Sequence, residues 1–151
     1  MGDVQIALIA DDDPRMTDVH ALRHEALFAP FGIPREDGWD DSGVDKRHIV
    51  AILDGEVAGY ASLLLEPDGT GHIRQVSVRP TLHGNGIGRD LMLACEDEAR
   101  RLGIALVWLN ARVTAEGFYH RVGYVTVSDG TFPSGRTGVP HVRMEKPLLE
   151  R

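Results

Sequence analysis

The stretch spanning residues 73–103 constrains the fold most. Ile73, Val76 and Val78 make a short β-rich run that stops at Pro80. Beyond it come Gly84, Gly86 and Gly88, after which Ile87, Leu91, Cys95, Ala99 and Leu102 recur at helical spacing. The order is strand, glycine loop, helix, and the helix should stop at Gly103. Glycines on alternate residues let backbone N–H groups converge at a helix start. The unpaired donors and partial positive charge there favour an anion, most often a phosphate. An ordinary tight turn would use the same glycines. Two rival nucleotide-binding spacings are absent. No Lys-Ser/Thr follows the glycines, and the third glycine comes one residue too early for Gly-x-Gly-x-x-Gly.

The segments on either side give this unit a sheet to belong to. Residues 4–9 alternate and predict a first strand. Asp11-Asp12-Asp13-Pro14 supplies a cap with proline at the first helical position, and Met16, Val19, Leu22 and Ala26 mark a helix to about Phe28. His20 and His24 lie one turn apart on it, a spacing a metal could share or a structural pair could occupy. With no third ligand nearby, no metal is expected. Residues 48–53 and 56–65 are β-rich and joined by Asp54-Gly55, the sequence a type I′ hairpin wants. A second turn at Pro67-Asp68-Gly69 feeds the strand that ends at Pro80, completing an antiparallel meander. After the helix, residues 105–109 form another apolar run ending in Asn110. A strand–helix–strand crossover makes its two strands parallel neighbours. Residues 138–144 read as a final strand entered through Pro140.

The 151 residues, 42% of them apolar, fit one domain over residues 1–151, with no repeat or composition break. Sixteen Lys and Arg against 23 Asp and Glu give a net charge of −7, which argues against a nucleic-acid partner and accommodates an amine. The lone Cys95 cannot form an internal disulfide and falls on the inward face of the central helix, where it reads as a small buried hydrophobe. No signal-like or long apolar segment is present, so a cytoplasmic protein with no membrane partner is expected.

Val78-Arg79-Pro80 followed by His83-Gly84-Asn85-Gly86-Ile87-Gly88 resembles the acetyl-CoA signature of the GNAT superfamily of N-acetyltransferases. His83 stands where that family usually has Arg or Gln. A second segment, Gly117-Phe118-Tyr119 leading to Gly123-Tyr124, resembles the family's short helix before a Gly-aromatic strand start. The tail Gly138-Val139-Pro140-His141-Val142-Arg143-Met144, with residues 23–28 and Asp40-Asp41, is similar to the ElaA-type subgroup.

The resemblance implies an α/β fold (α+β, mixed sheet): a single GNAT-like domain with an antiparallel meander, a splayed parallel strand pair and flanking helices. It implies acetyl-CoA as co-substrate. Val76, Ser77 and Val78 would lie along the pantetheine arm, with Asn110 across the gap. His83, Gly84, Asn85, Gly86, Ile87, Gly88 and Arg89 would sit at the pyrophosphate. Tyr119 would protonate the departing thiolate, since a phenol is a neutral donor at pH 7, although a core aromatic is the other reading. His141 would relay a proton or serve as a structural hydrogen-bonding histidine. The base stays open among Glu25, Glu66, His72 and His141. The acceptor would be a small-molecule or peptide amine. Residues 29–47, acidic and broken by Pro and Gly, would form either its recognition loop with Trp39 as a wall or a solvated loop. A homodimer is left open. A non-catalytic acyl-CoA-binding or sensing domain is the alternative, and it would need neither Tyr119 nor a proton path.

Overall fold

A computed structural model of the chain describes residues 2–35, 44–135 and 137–148. Asp54 and Gly55, with φ of 52° and 79°, close the tight turn between β2 (Asp45–Leu53) and β3 (Glu56–Leu65). Positive φ at both central residues suits the right-handed twist of paired strands. β1 (Val4–Ile9) flanks β2, and β4 (Gly71–Val78) returns along β3, all antiparallel. This is the meander that the turn residues predict. Two more strands follow, β5 (Leu106–Arg112) and β8 (Pro140–Pro147), with the short β6 (Val125–Thr126) and β7 (Phe132–Pro133) both paired to β8. The order is β1-β2-β3-β4-β5-β8-β6, a mixed sheet in which, among the described residues, only the β4–β5 pair is parallel.

Both faces of the sheet are covered. α1 (Met16–Leu27) lays Met16, Val19 and Leu22 against Ile9, Val50, Val57 and Tyr60. α2 (Ile87–Arg101) packs Ile87, Leu91, Met92, Cys95 and Ala99 on Ile49, Ala51, Ala61, Leu63 and Ile73. β2 therefore alternates Ile49 and Ala51 toward α2 with Val50 toward α1. A strand buried on both faces loses the polar half of its alternation, which is why residues 49–51 read as a continuous apolar run. Each fully buried aliphatic side chain of α2 contributes about 1.5–3 kcal/mol.

α1 begins at Met16, two residues after the proline expected to open it. The preceding turn is held by Asp13, whose Oδ1 accepts the Arg15 backbone N–H at 2.9 Å and whose carboxylate grips the Arg15 guanidinium. Arg15 holds the Asp13 carboxyl down to about 2. α2 ends where Gly103 takes φ of 79°, as expected. Part of the stretch expected to be irregular, residues 29–47, is ordered: Ala29–Phe31 is a 3-10 turn and β2 already starts at Asp45. Trp39, Asp40 and Asp41 lie outside the described residues. β5 and β8 outrun their apolar patterns because they pair along their whole length, from Leu106 opposite Pro147 to Arg112 opposite His141.

Candidate active site

The parallel pair that the crossover builds is short. Among the described residues, only Gly71 opposite Val107 and His72 opposite Trp108 pair β4 with β5, and beyond them the strands part. The cause lies partly in β4 itself. Between Arg74 and Ser77 its register with β3 slips, and Gln75 sits at φ 58° in the left-handed region that side chains other than glycine seldom enter. Two serines hold this bulge: Ser62 Oγ donates to the Arg74 carbonyl and Ser77 Oγ to the Gln75 carbonyl, each at 3.0 Å. β5 meanwhile follows β8, and Arg112 at its end donates to the Leu27 carbonyl at 2.7 Å, tying it to α1.

The parted strands enclose a cleft of about 650 Å³. Residues 73–78 form one wall and residues 109–112 the other; residues 26–28 close one side, and the turn after β7 reaches over another. Val76, Ser77, Val78, His83, Asn110, Tyr119 and His141 all line it, so the two strand segments, the short helix and the tail converge on one space. Ser77 is buried with its hydroxyl already bonded, so it presents backbone only.

The glycine loop lies just beyond His83. Gly84 and Gly86 take φ of 84° and 80°, and nothing stands within 4 Å of where their Cβ atoms would be. Gly86 is the N-cap of α2 and makes no side-chain capping bond, so the first-turn N–H groups keep their capacity for an outside acceptor. Gly88 has a different reason to be glycine: a Cβ there would meet Phe118 Cζ at 3.2 Å. Ile87 is buried in the core and can offer only its backbone, whereas Arg89 is exposed on the first turn without lining the cleft. The side chains at the loop's start bend back onto it, His83 Nε2 donating to the Val78 carbonyl at 3.1 Å and Asn85 Nδ2 to the Leu82 carbonyl at 3.1 Å.

Tyr119 comes from α3 (Glu116–Arg121), its ring edge-on to Phe118 and to Tyr124 with centroids 5.0 and 6.0 Å away. Removal from water pushes its phenol pKa up, with the neighbouring Arg112 opposing. His141 Nδ1 donates to the Val139 carbonyl at 2.7 Å, which leaves Nε2 as the nitrogen able to take a proton. Of the four candidate bases, His72 and His141 line the cleft, whereas Glu25 and Glu66 do not. His72 sits where β4 and β5 still pair, stacked on Trp108 at 3.7 Å with Nδ1 3.4 Å from Glu66. His24 donates to the Ile33 carbonyl at 2.8 Å, a structural role. Cys95 is buried, and burial pushes its thiol up, away from nucleophilic use.

Three cleft features escaped the sequence reading: Gln75, Arg112 and the Phe132–Ser134 side of the tail. No glycine or proline marks the bulge, and Arg112 falls beyond the apolar run that located β5. Burial lowers the Arg112 guanidinium pKa.

Comparison with known proteins agrees with this geometry. The sequence pattern of the Acetyltransferase (GNAT) family matches residues 15–124. The uncharacterized N-acetyltransferase YjcF of Bacillus subtilis is 30% identical over 140 residues, covering 93% of this chain and 98% of that protein. An acyl-CoA N-acyltransferase from Pseudomonas aeruginosa superposes with a TM-score of 0.79 at 26% identity, covering 95% and 99% of the two chains. Two further structures share the fold. Escherichia coli ElaA has a TM-score of 0.77 at 23% identity over 95% and 99% of the chains. An aminoglycoside 6'-N-acetyltransferase complexed with coenzyme A has a TM-score of 0.79 at 16% identity over 97% and 98%. The family pattern takes in the glycine loop, the Tyr119 segment and both strands of the parted β4–β5 pair: this chain belongs to the acetyltransferase (GNAT) family.

Proposed function

We propose that the protein is an acetyl-CoA-dependent N-acetyltransferase that passes the acetyl group to a primary amine by direct attack within a ternary complex. The observation that carries this is the parting of β4 from β5 beside an uncapped glycine loop, which leaves a slot with a strand edge along it and helix donors at its mouth. Acetyl-CoA supplies the activated acetyl group. The backbone of Val76, Ser77 and Val78 would pair with the pantetheine arm as an added strand does, opposite Asn110. The N–H groups from Gly84 through Gly88 would hold the pyrophosphate, with His83 and Asn85 shaping the loop and Arg89 at its solvent side. A loop held by backbone donors tolerates His83 in place of Arg or Gln.

In the reaction the amine nitrogen forms a bond to the thioester carbon and the carbon–sulfur bond breaks. The Val76 N–H is aimed at the carbonyl oxygen, where charge builds. Tyr119, kept protonated by its dry surroundings, donates its proton to the departing sulfur. The proton lost by the amine passes to His141 Nε2, His72 being the other of the candidate bases on the cleft wall. Most of the acceleration comes from holding the two reactants in line. The reaction would take place in the cytoplasm, on a small-molecule or peptide amine.

The test is a thermal-shift titration with acetyl-CoA, CoA, NADH and ATP side by side, followed by a thiol-release assay with an amine panel. Stabilisation by the CoA compounds alone, with amine-dependent thiol release, is the expected result. A ligand at about a hundred times its Kd stabilises by about 2.7 kcal/mol. Binding without turnover on any amine would leave an acyl-CoA sensor instead.

A further inference from the structure

The bulge in β4 satisfies its backbone carbonyls and leaves one polar atom behind. Ser62 and Ser77 bond the carbonyls of Arg74 and Gln75, yet Oε1 of the Gln75 side chain is buried with no hydrogen-bond partner among the described residues, and Gln75 is one of the residues that line the cleft. The same residue occupies the left-handed region at φ 58°. An unsatisfied buried carbonyl and a strained backbone are each costly, and features of this kind cluster at sites that bind ligands. Gln75 also immediately precedes Val76, whose N–H faces the reacting carbonyl in the reading above.

We infer that Gln75 Oε1 is the hydrogen-bond acceptor that receives the N–H of the acceptor amine and turns the nitrogen lone pair toward the thioester. The inference rests on the acetyltransferase reading and adds to it the group that recognises the nucleophile. A carboxamide suits the task because the reacting amine must be neutral. A neutral oxygen accepts one N–H while favouring the ammonium form far less than a carboxylate would. The described residues lining the cleft agree with this, for none of them is Asp or Glu and their titratable side chains are Arg, His and Tyr. Lysine or arginine in place of Gln75 would offer no accepting atom.

Two variants of the full chain test it, Gln75→Met, which keeps length but loses the accepting oxygen, and Gln75→Glu, which keeps an oxygen in place. Three readouts are needed: the Kd for acetyl-CoA by calorimetry, Tm, and steady-state kinetics with saturating acetyl-CoA. The acceptor is whichever of spermidine, L-lysine and Ala-Ala-Ala the wild type turns over fastest. Gln75→Met should raise KM for the amine about tenfold. Its Kd for acetyl-CoA should stay within about twofold of wild type, and its Tm should be unchanged or higher, because an unsatisfied group has been removed. Gln75→Glu should recover most of the lost amine affinity. An unchanged amine KM in Gln75→Met overturns the inference, as does equal loss in both variants, weakened acetyl-CoA binding or a lowered Tm. Failure of the wild type to bind acetyl-CoA, or to turn over any amine, would remove the acetyltransferase reading and this inference with it, and is recognisable before any variant is made.

Discussion

Replacing Gly59 with alanine is a small change that the packing of α2 on β3 makes severe. A Cβ at residue 59 would lie 2.9 Å from Leu91 Cδ1, 3.0 Å from Ile87 Cγ2 and 3.3 Å from the Ser77 carbonyl oxygen. Leu91 is wholly buried and cannot swing aside. The Ile87 methyl sits on the β-carbon of a helical residue, so it moves only if the first turn of α2 moves. Overpacking of this kind costs about 1–3 kcal/mol. Alanine returns about 0.5–1 kcal/mol of chain entropy relative to glycine. Taking the middle of each range, the net loss is about 1.25 kcal/mol, or about 2.5–5 °C in Tm for a domain of this size. Ile87 directly follows the N-cap Gly86, so the outward shift is delivered to the glycine loop. Stabilisation by added acetyl-CoA should shrink in the variant at equal ligand concentration. Differential scanning fluorimetry with and without acetyl-CoA measures both effects. A Gly59→Ala protein with wild-type Tm and an undiminished ligand shift would refute the claim that this contact sets the loop's position.

The remaining predictions concern the proposed proton donor, a buried ion pair and the acid side of the stability curve. Tyr119→Phe should lower kcat on the order of a hundredfold while the Kd for acetyl-CoA stays put, and wild-type kcat should not fall through loss of this proton below about pH 10, because burial raises the phenol pKa. A pH–rate profile checks both. Lys146→Met removes the partner 2.8 Å from Glu96, a carboxylate 1% exposed that would keep, among the described residues, only the Tyr124 hydroxyl at 3.0 Å. Chemical denaturation should show a loss of about 3 kcal/mol, more than any surface ion pair gives. Asp13 titrates lower folded, at about 2, than unfolded, so the stability it confers is present above about pH 4 and disappears as pH falls through 2. In Asp13→Asn the acid limb of a Tm-versus-pH curve should flatten over that window.

Local chemistry made much of the fold legible. Asp54-Gly55 specified its turn because two successive positive φ angles leave few other residues. The glycine loop and the α2 stripe announced a crossover, and the strand–helix–strand connection then made β4 and β5 parallel. What the sequence could not disclose was set by partners far along the chain. The bulge at Gln75 exists because β4 must keep register with β3 on both sides of a slip, and nothing in Arg-Gln-Val-Ser punctuates it. Glu96 reads as a polar residue beside the apolar stripe of α2, yet it is buried because Lys146, fifty residues on, reaches it. For the site, the motif residues could be named, but not that His72 would pair with Glu66 where the strands still touch, while His141 stands with its Nδ1 already committed.

The scarcity of pairing between β4 and β5 has a mechanical consequence. Among the described residues, two residue pairs are the only ladder joining the β1–β4 half of the sheet to the β5–β8–β6 half. A crack front applied from the open end meets no backbone bonds until Gly71 and His72. Resistance to prying the halves apart must come from α2, which packs in the core shared by both and holds Lys146 through Glu96, and from struts such as Arg112 to the Leu27 carbonyl and Trp108 to the Thr70 hydroxyl. A molecule that zips along the bare edge of β4 and touches β5 would act as the missing rung set, so the ligand-loaded sheet should transmit load as one beam where the empty one behaves as two leaves on a hinge.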